Sequence, residues 1–111
     1  MFMKEIIKLN AKNLSLLPEG VVIPAYDRSK IKAGIVHIGI GGFHRSHEAF
    51  YIDKLLELPG SNEWGICGVA LLKTDRKIFD ALGDQDYLYT LMITESDGTL
   101  NARVIGSIIE C

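Results

Sequence analysis

The segment from Gly34 to Leu58 reads GIVHIGIGGFHRSHEAFYIDKLLEL, and it constrains the fold more strongly than any other part of the chain. Its first part, Ile35–Ile40, is an apolar and largely β-branched run, typical of a strand buried on both faces of a parallel sheet. Gly41 and Gly42 then interrupt the strand. Apolar residues at helical spacing follow, so we predict a helix over Arg45–Leu58. The predicted buried face of this helix consists of Ala49, Ile52, Leu55 and Leu56.

A second strand and a second helix are predicted on the C-terminal side. The turn cluster PGSN at 59–62 ends the first helix, and the apolar run Trp64–Leu72 is predicted to form a strand. Strand, helix and strand in this order indicate parallel pairing with a right-handed crossover. Thr74–Leu82 follows as a short helix that Gly83 can terminate.

The two ends of the chain carry different patterns. Residues 1–34 show no sustained period, and we expect an irregular lead-in with at most a short helix. Residues 87–108 are rich in β-forming residues on both sides of Ser96-Asp97-Gly98, where Asp-Gly is a strong hairpin signal. The expected fold is therefore α/β, with parallel strands followed by an antiparallel hairpin near the C-terminus.

The composition excludes several classes of partner. A length of 111 residues allows one domain, with a core that buries roughly 65% of the unfolded chain's surface. A net charge of -2 argues against electrostatic capture of nucleic acid or of a membrane surface. Cys67 and Cys111 lack CxxC spacing, and no apolar run reaches the roughly 18 residues of a membrane span. We therefore expect a cytoplasmic protein that is neither exported nor membrane-bound.

The most informative motif is Gly39–His44, GIGGFH, between the predicted strand and helix. This is the context that a dinucleotide-binding fingerprint requires. Gly39 permits a tight turn, Gly41 lets the backbone approach a pyrophosphate, and N–H groups at the helix start bind the anion. The third glycine position of the fingerprint holds His44 instead.

The residues alone leave two other interpretations open. The glycines could form a plain loop hinge with His44 as a capping residue, because tight strand-to-helix turns favour glycine whatever they bind. The other interpretation is a metal site at His37, His44 and His47. It is disfavoured because no acidic or cysteine side chain joins these histidines at ligand spacing.

Asp75 is the candidate acidic residue for the ribose of a dinucleotide. It follows the second predicted strand, although its separation from Gly39 is longer than the usual offset of about 20 residues. An Asp stabilised by the dipole of the following helix is the alternative. A carboxylate at this place favours NAD over NADP, but Lys73 and Arg76 beside it leave that preference open.

The string IVHIGIGGFHRSHEAFYIDKLL at 35–56, with WGICGVALL, TDRK and QDYLYTL after it, resembles the polyol-specific long-chain dehydrogenases, and their mannitol 2-dehydrogenase branch in particular. His44 in place of the third glycine is that family's own pattern. The resemblance implies that Gly39–His44 covers the cofactor phosphates, that Asp75 contacts the ribose, and that Arg45 and His47 shape the loop. The cofactor-binding residues expected on this basis are Ile38, Gly39, Ile40, Gly41, Gly42, Phe43, His44, Arg45 and Asp75.

The resemblance also implies an activity. It is the NAD- or NADP-dependent interconversion of a polyol and its ketose, such as D-mannitol and D-fructose, by hydride transfer without a metal. Alternatives are a fructuronate or tagaturonate reductase, an arabinitol dehydrogenase, or a nucleotide-binding module without catalysis. The family's catalytic lysine, asparagine and histidine lie later in a longer chain, and neither Lys73 nor Lys77 replaces that lysine. Residues 1–111 are thus expected to be part of a Rossmann domain, inactive without the rest of that domain and a catalytic domain.

Overall fold

The structure, a computed structural model, describes residues 6–111, in which six strands form two three-stranded sheets. The strands are β1 Val21–Val22, β2 Ala33–Ile38, β3 Gly65–Val69, β4 Tyr89–Thr94, β5 Leu100–Ile105 and β6 Ile108–Glu110. The α-helices are α1 Gly42–Ser46, α2 Glu48–Leu55 and α3 Arg76–Gly83, and short 3-10 turns cover Ala11–Leu16, Arg28–Lys30 and Lys73–Asp75. Within the described range, no helix is long and apolar enough to cross a membrane.

The first sheet is parallel and has the order β2-β3-β6. Ile35 lies opposite Ile66 and Ile38 opposite Val69, which confirms the predicted strand, helix, strand unit with parallel pairing. The second predicted strand is shorter than Trp64–Leu72. β6 is a third parallel strand, whereas Ile108 was predicted to be the last residue of the hairpin.

The predicted burial of the first strand on both faces is wrong. Val36 is 70% exposed and Ile38 is 62% exposed. β2 is the edge of its sheet among the described residues, and the helices of residues 6–111 cover only the other face. The strand also ends at Ile38, two residues earlier than predicted, because Gly39 turns the chain with φ +80°.

The predicted helix over Arg45–Leu58 is two helices in the structure, α1 and α2, separated at His47 (φ -122°, ψ -87°). A continuous helix would use the carbonyl of Arg45 as acceptor for the N–H of Ala49. The hydroxyl of Tyr89 donates to that carbonyl instead, which stabilises the break. Ala49 and Leu56 are buried as predicted, but the fully buried residue between them is Asp53.

The second predicted helix begins later than expected. Lys73–Asp75 forms a 3-10 turn, and α3 starts at Arg76 and includes Gly83. The helix ends with Gly83, one residue beyond the predicted end. The chain leaves the helix through Asp86 (φ 55°) and Tyr87 (φ 62°), and the N–H of Tyr87 donates to the carbonyl of Leu82 at 2.7 Å, as in a Schellman-type ending.

The predicted hairpin is confirmed as β4 and β5, which pair antiparallel from Tyr89 opposite Ile105 to Thr94 opposite Leu100. Gly98 in the turn has φ +88°. The hairpin ends at Ile105, not at 108, because the chain crosses to the parallel sheet at Gly106 and Ser107. Backbone and side-chain bonds to α2 hold this crossing: the N–H of Gly106 donates to Asp53, and Ser107 Oγ donates to the carbonyl of Ala49.

The lead-in is more ordered than the sequence predicted, although its first five residues lie outside the described range. β1 pairs in parallel with β5. Arg28 donates to the carbonyls of Asp86, Gly106 and Ile108, which attaches the lead-in to the end of the chain. One core joins both sheets and the helices through Ile40, Ala49, Ile66, Leu82, Tyr89, Ile105 and Ile108.

Candidate cofactor-binding site

The predicted phosphate-binding loop lies at the C-terminal end of β2, where the chain turns into α1. The N–H of Gly39 donates to the carbonyl of Val69 at 2.8 Å, so the loop is attached to the neighbouring strand. A methyl group added at Gly39, Gly41 or Gly42 would find no atom within 4 Å. Open space therefore borders N–H groups of the first turn of α1, which have no acceptor within the helix. These features fit the phosphates of a dinucleotide.

A cavity of about 340 Å³ lies over this loop. Five of the predicted cofactor-binding residues line it, namely Ile38, Gly39, Gly41, Phe43 and His44. The structure adds three neighbours to them: His37, His47 and Glu48. Gly42 is exposed beside the cavity, whereas Ile40 is 1% exposed and belongs to the core.

Arg45 does not line the cavity, and its side chain instead contacts the backbone of the loop. Its Nε donates to the carbonyl of Ile40 at 3.1 Å, and its guanidinium lies 6.0 Å from the centre of the Tyr89 ring. Burial, followed by the charge of Asp53, raises the pKa of Tyr89. Its hydroxyl therefore stays protonated and donates a hydrogen bond to the backbone carbonyl of Arg45. These contacts agree with a role for Arg45 in shaping the loop.

His44 and His37 form a stacked pair beside the glycines. Their ring centres are 3.8 Å apart at an angle of 25°. His44 is 6% exposed, and neither of its ring nitrogens has a hydrogen-bond partner among residues 6–111. His37 Nδ1 lies within hydrogen-bonding distance of the carbonyl of Gly39. Burial, and next the charge of His37, lower the pKa of His44, which favours the neutral ring.

The structure corrects the argument that no acidic side chain joins these histidines. Glu48 Oε1 is 3.9 Å from His44 Nδ1, and the possible ligand atoms of His37, His44 and Glu48 lie within 4.8 Å of one another. An imidazole binds a metal through a lone pair in its own ring plane. Two rings stacked nearly parallel at 3.8 Å direct those lone pairs along separate planes, so this arrangement does not converge on one ion. His47 instead stacks on Phe43.

Asp75 lies past the end of β3, the strand next to β2, so both predicted parts of the site occupy one edge of the parallel sheet. Its Oδ2 accepts from the N–H of Leu72 at 3.1 Å, a local capping contact. A cavity of about 550 Å³ lies nearby, lined by Ala70, Leu71, Leu72, Lys73, Arg76, Phe79 and Asp80. Contact between Asp75 and a ribose stays a prediction.

Comparison with known proteins agrees with this geometry. Residues 33–111 match the family described as the mannitol dehydrogenase Rossmann domain. The chain belongs to that family. Its mannitol dehydrogenase Rossmann domain thus begins at the first residue of β2 and includes both parts of the candidate site.

Individual mannitol dehydrogenases are similar over almost the whole chain. The mannitol 2-dehydrogenase of Phaeosphaeria nodorum is 53% identical over 104 residues, which cover 94% of this chain and 18% of that protein. The mannitol 2-dehydrogenase of Aspergillus fumigatus is 50% identical over 107 residues, covering 92% and 21%. The chain thus spans about a fifth of the length of these relatives.

Solved structures of this class have the same fold. The Pseudomonas fluorescens mannitol 2-dehydrogenase, in a ternary complex with NAD and D-mannitol, is 46% identical with a TM-score of 0.88. A substrate-free D-sorbitol dehydrogenase is 40% identical with a TM-score of 0.84. Each alignment covers 94% of this chain and 21% of the other. The expected Rossmann fold is confirmed.

A buried polar network that was not predicted from the sequence supports this mannitol dehydrogenase Rossmann domain. Asp53 is fully buried and accepts from the hydroxyl of Tyr26, from Arg103 and from the N–H of Gly106. Arg103 also pairs with Glu57 at 3.0 Å. The available signal was the position of Asp53 on the apolar stripe of its helix, four residues after Ala49 and three before Leu56.

Proposed function

We propose that this chain binds NAD and supplies the cofactor-binding part of an oxidoreductase that interconverts D-mannitol and D-fructose. The observation that carries the proposal is the open space at Gly39, Gly41 and Gly42, located between a parallel strand and a helix start. This is where α/β sheets bind dinucleotides. The relative in complex with NAD and D-mannitol supports the choice of both ligands.

The residues of this chain would bind and orient the cofactor. Backbone N–H groups after Gly41 face the space for the phosphates, while Arg45 and Tyr89 hold the loop in place. When bound, NAD supplies the hydride acceptor. Lys73 and Lys77 follow the end of β3, beside Asp75 and therefore next to the proposed ribose position. We assign no catalytic residue to this chain.

The cofactor preference is also part of the proposal. A free oxygen of Asp75 would accept from a ribose hydroxyl and oppose a 2'-phosphate, so NAD is preferred to NADP. Lys73 and Arg76 line the neighbouring cavity and leave NADP as a weaker alternative. A cytoplasmic location and a metabolic role in polyol conversion complete the proposal, in line with the two free cysteines, Cys67 and Cys111.

Calorimetric titration of the 111-residue chain with NAD tests the binding half of the proposal. Gly41→Val is the informative variant, because Gly41 has φ -70° and ψ -176°, which valine can adopt, and its side chain would occupy the open space. We expect Kd to rise by at least about tenfold. Gly20→Val is the matched control, since Gly20 lies outside the loop with free space around it. Equal binding by both variants would contradict the proposed loop contact.

A chimera tests the catalytic half. Residues 1–111 would replace the corresponding fifth of the Pseudomonas fluorescens enzyme, to which they are 46% identical. We expect NAD-dependent oxidation of D-mannitol by the chimera. D-sorbitol belongs in the substrate panel because of the similarity to a sorbitol dehydrogenase, and uronates test the reductase alternative. A folded chimera that binds NAD but converts none of these substrates would leave only a binding function.

A further inference from the structure

The stacked histidines beside the phosphate-binding loop contain an unsatisfied buried group. His44 is 6% exposed and lines the loop cavity, yet both of its ring nitrogens lack a partner among residues 6–111. A buried polar group without a hydrogen bond destabilises the folded chain. Such a group in the wall of a cavity indicates a ligand that accepts a hydrogen bond.

The groups that face His44 come from three elements. His37 on β2 stacks on the ring, Glu48 on α2 lies 3.9 Å from Nδ1, and Arg45 is its neighbour on α1. His37 and Arg45 oppose a positive charge on His44, and burial opposes it further, whereas Glu48 favours it. Without a ligand the neutral ring therefore prevails.

An anion in the cavity changes this balance. Phosphate oxygens carry negative charge and accept hydrogen bonds, so they stabilise the protonated imidazole, in which both nitrogens are donors. The second nitrogen of a protonated His44 would face Glu48, which has the opposite charge. Phosphate in the loop would thus accept from one nitrogen of His44, while Glu48 would be the charge partner on the side of the other.

We propose that His44, stacked on His37, takes up a proton when the phosphates of a dinucleotide occupy the Gly39–His44 loop, so that cofactor binding is linked to protonation. The inference rests on the proposed function. By linkage, proton uptake on binding means that NAD binds more tightly at lower pH. Kd therefore rises with pH between the pKa of His44 in the free chain and its higher pKa in the complex, by at most about tenfold per pH unit for one proton.

Calorimetry in buffers of different ionisation enthalpy measures the proton uptake directly. We expect up to about one proton per NAD bound by the 111-residue chain near neutral pH. His44→Gln removes the titrating ring while keeping a polar side chain, and it should abolish the buffer dependence. Glu63→Gln removes an exposed ionisable group outside the cavity, and proton uptake should persist in it. Far-UV circular dichroism confirms that each variant is folded.

Imidazole nitrogen NMR provides a second readout that needs no variant. The His44 ring should change from the neutral to the protonated spectrum when NAD is added at constant pH. NAD binding without buffer dependence and without this change would overturn the inference and leave the proposed function intact. Absence of NAD binding would remove both. If His44→Gln fails to fold, the NMR titration decides, and a His44 ring that stays neutral when NAD binds overturns the inference.

Discussion

Asp53 shows how much a single residue contributes to this fold. Its carboxylate has no exposed surface, and it accepts hydrogen bonds from a tyrosine, an arginine and a backbone N–H in three different parts of the chain. Burying a charge is unfavourable unless it is paired and hydrogen-bonded. The carboxylate is therefore tolerated because the lead-in, α2, β5 and the crossing into β6 all meet at it.

Asp53→Asn is expected to destabilise the chain by about 3 kcal/mol, because it removes the buried charge that pairs with Arg103 and leaves that guanidinium only the more exposed Glu57. Denaturant unfolding followed by circular dichroism measures the loss. Asp80→Asn is the matched control. Asp80 pairs with Arg76, and both side chains are more than 70% exposed, so a change within about 0.5 kcal/mol is expected. Similar losses of unfolding free energy in the two variants would show that the buried network stabilises the chain no more than an exposed ion pair does.

At the scale of elements, the boundaries follow specific backbone requirements. The break between α1 and α2 coincides with a carbonyl that Tyr89 has engaged, and the hairpin turn contains Gly98 with φ +88°. The first feature depends on a residue far along the chain, whereas the second is local. Only the local one was visible in the sequence.

Gly98→Ala should weaken the hairpin, because an L-residue with a side chain costs roughly 1–2 kcal/mol in the left-handed region. Gly20→Ala is the control at a glycine with ordinary dihedral angles and free space around it. There the substitution reduces the entropy of the unfolded chain and should stabilise by up to about 1 kcal/mol. Opposite signs of the two changes in unfolding free energy are expected, and equal signs would contradict the turn assignment.

At the scale of the whole molecule, the uncovered apolar face of β2 is the feature with the largest expected effect on solution behaviour. Val36 and Ile38 expose most of their apolar surface on a strand that pairs with only one neighbour among the described residues. An exposed apolar edge strand is a template for pairing with another chain. The 111-residue chain on its own should therefore self-associate.

Val36→Lys is expected to shift the chain toward the monomer, because a charged side chain on an edge strand opposes strand pairing. Light scattering after size-exclusion chromatography, over a range of concentrations, measures the shift. Leu16→Lys serves as the control, since Leu16 is 59% exposed but lies in a 3-10 turn and not in a strand. If both variants associate like the original chain, the β2 edge is not the surface responsible.

The sequence by itself determined the parallel strand, helix, strand unit, the glycine loop at its turn and the Asp-Gly hairpin. These features depend on local properties: apolar periodicity, the dihedral freedom of glycine and the preference of Asp-Gly for hairpin turns. The family resemblance also followed from local strings. For the same reason five of the predicted site residues line one cavity, while Asp75 was found in a capping contact with the N–H of Leu72 that had not been predicted.

Only the tertiary structure decided the rest. It assigned Ile108–Glu110 to the parallel sheet, exposed one face of β2, and placed Asp53 against an arginine 50 residues away. It also buried His44, whose ring nitrogens find no hydrogen-bond partner within residues 6–111, and brought Glu48 to it. Each of these depends on which distant surfaces meet. Since the free energy of a buried charge or an uncovered strand is set by those neighbours, no local pattern in the sequence contains it.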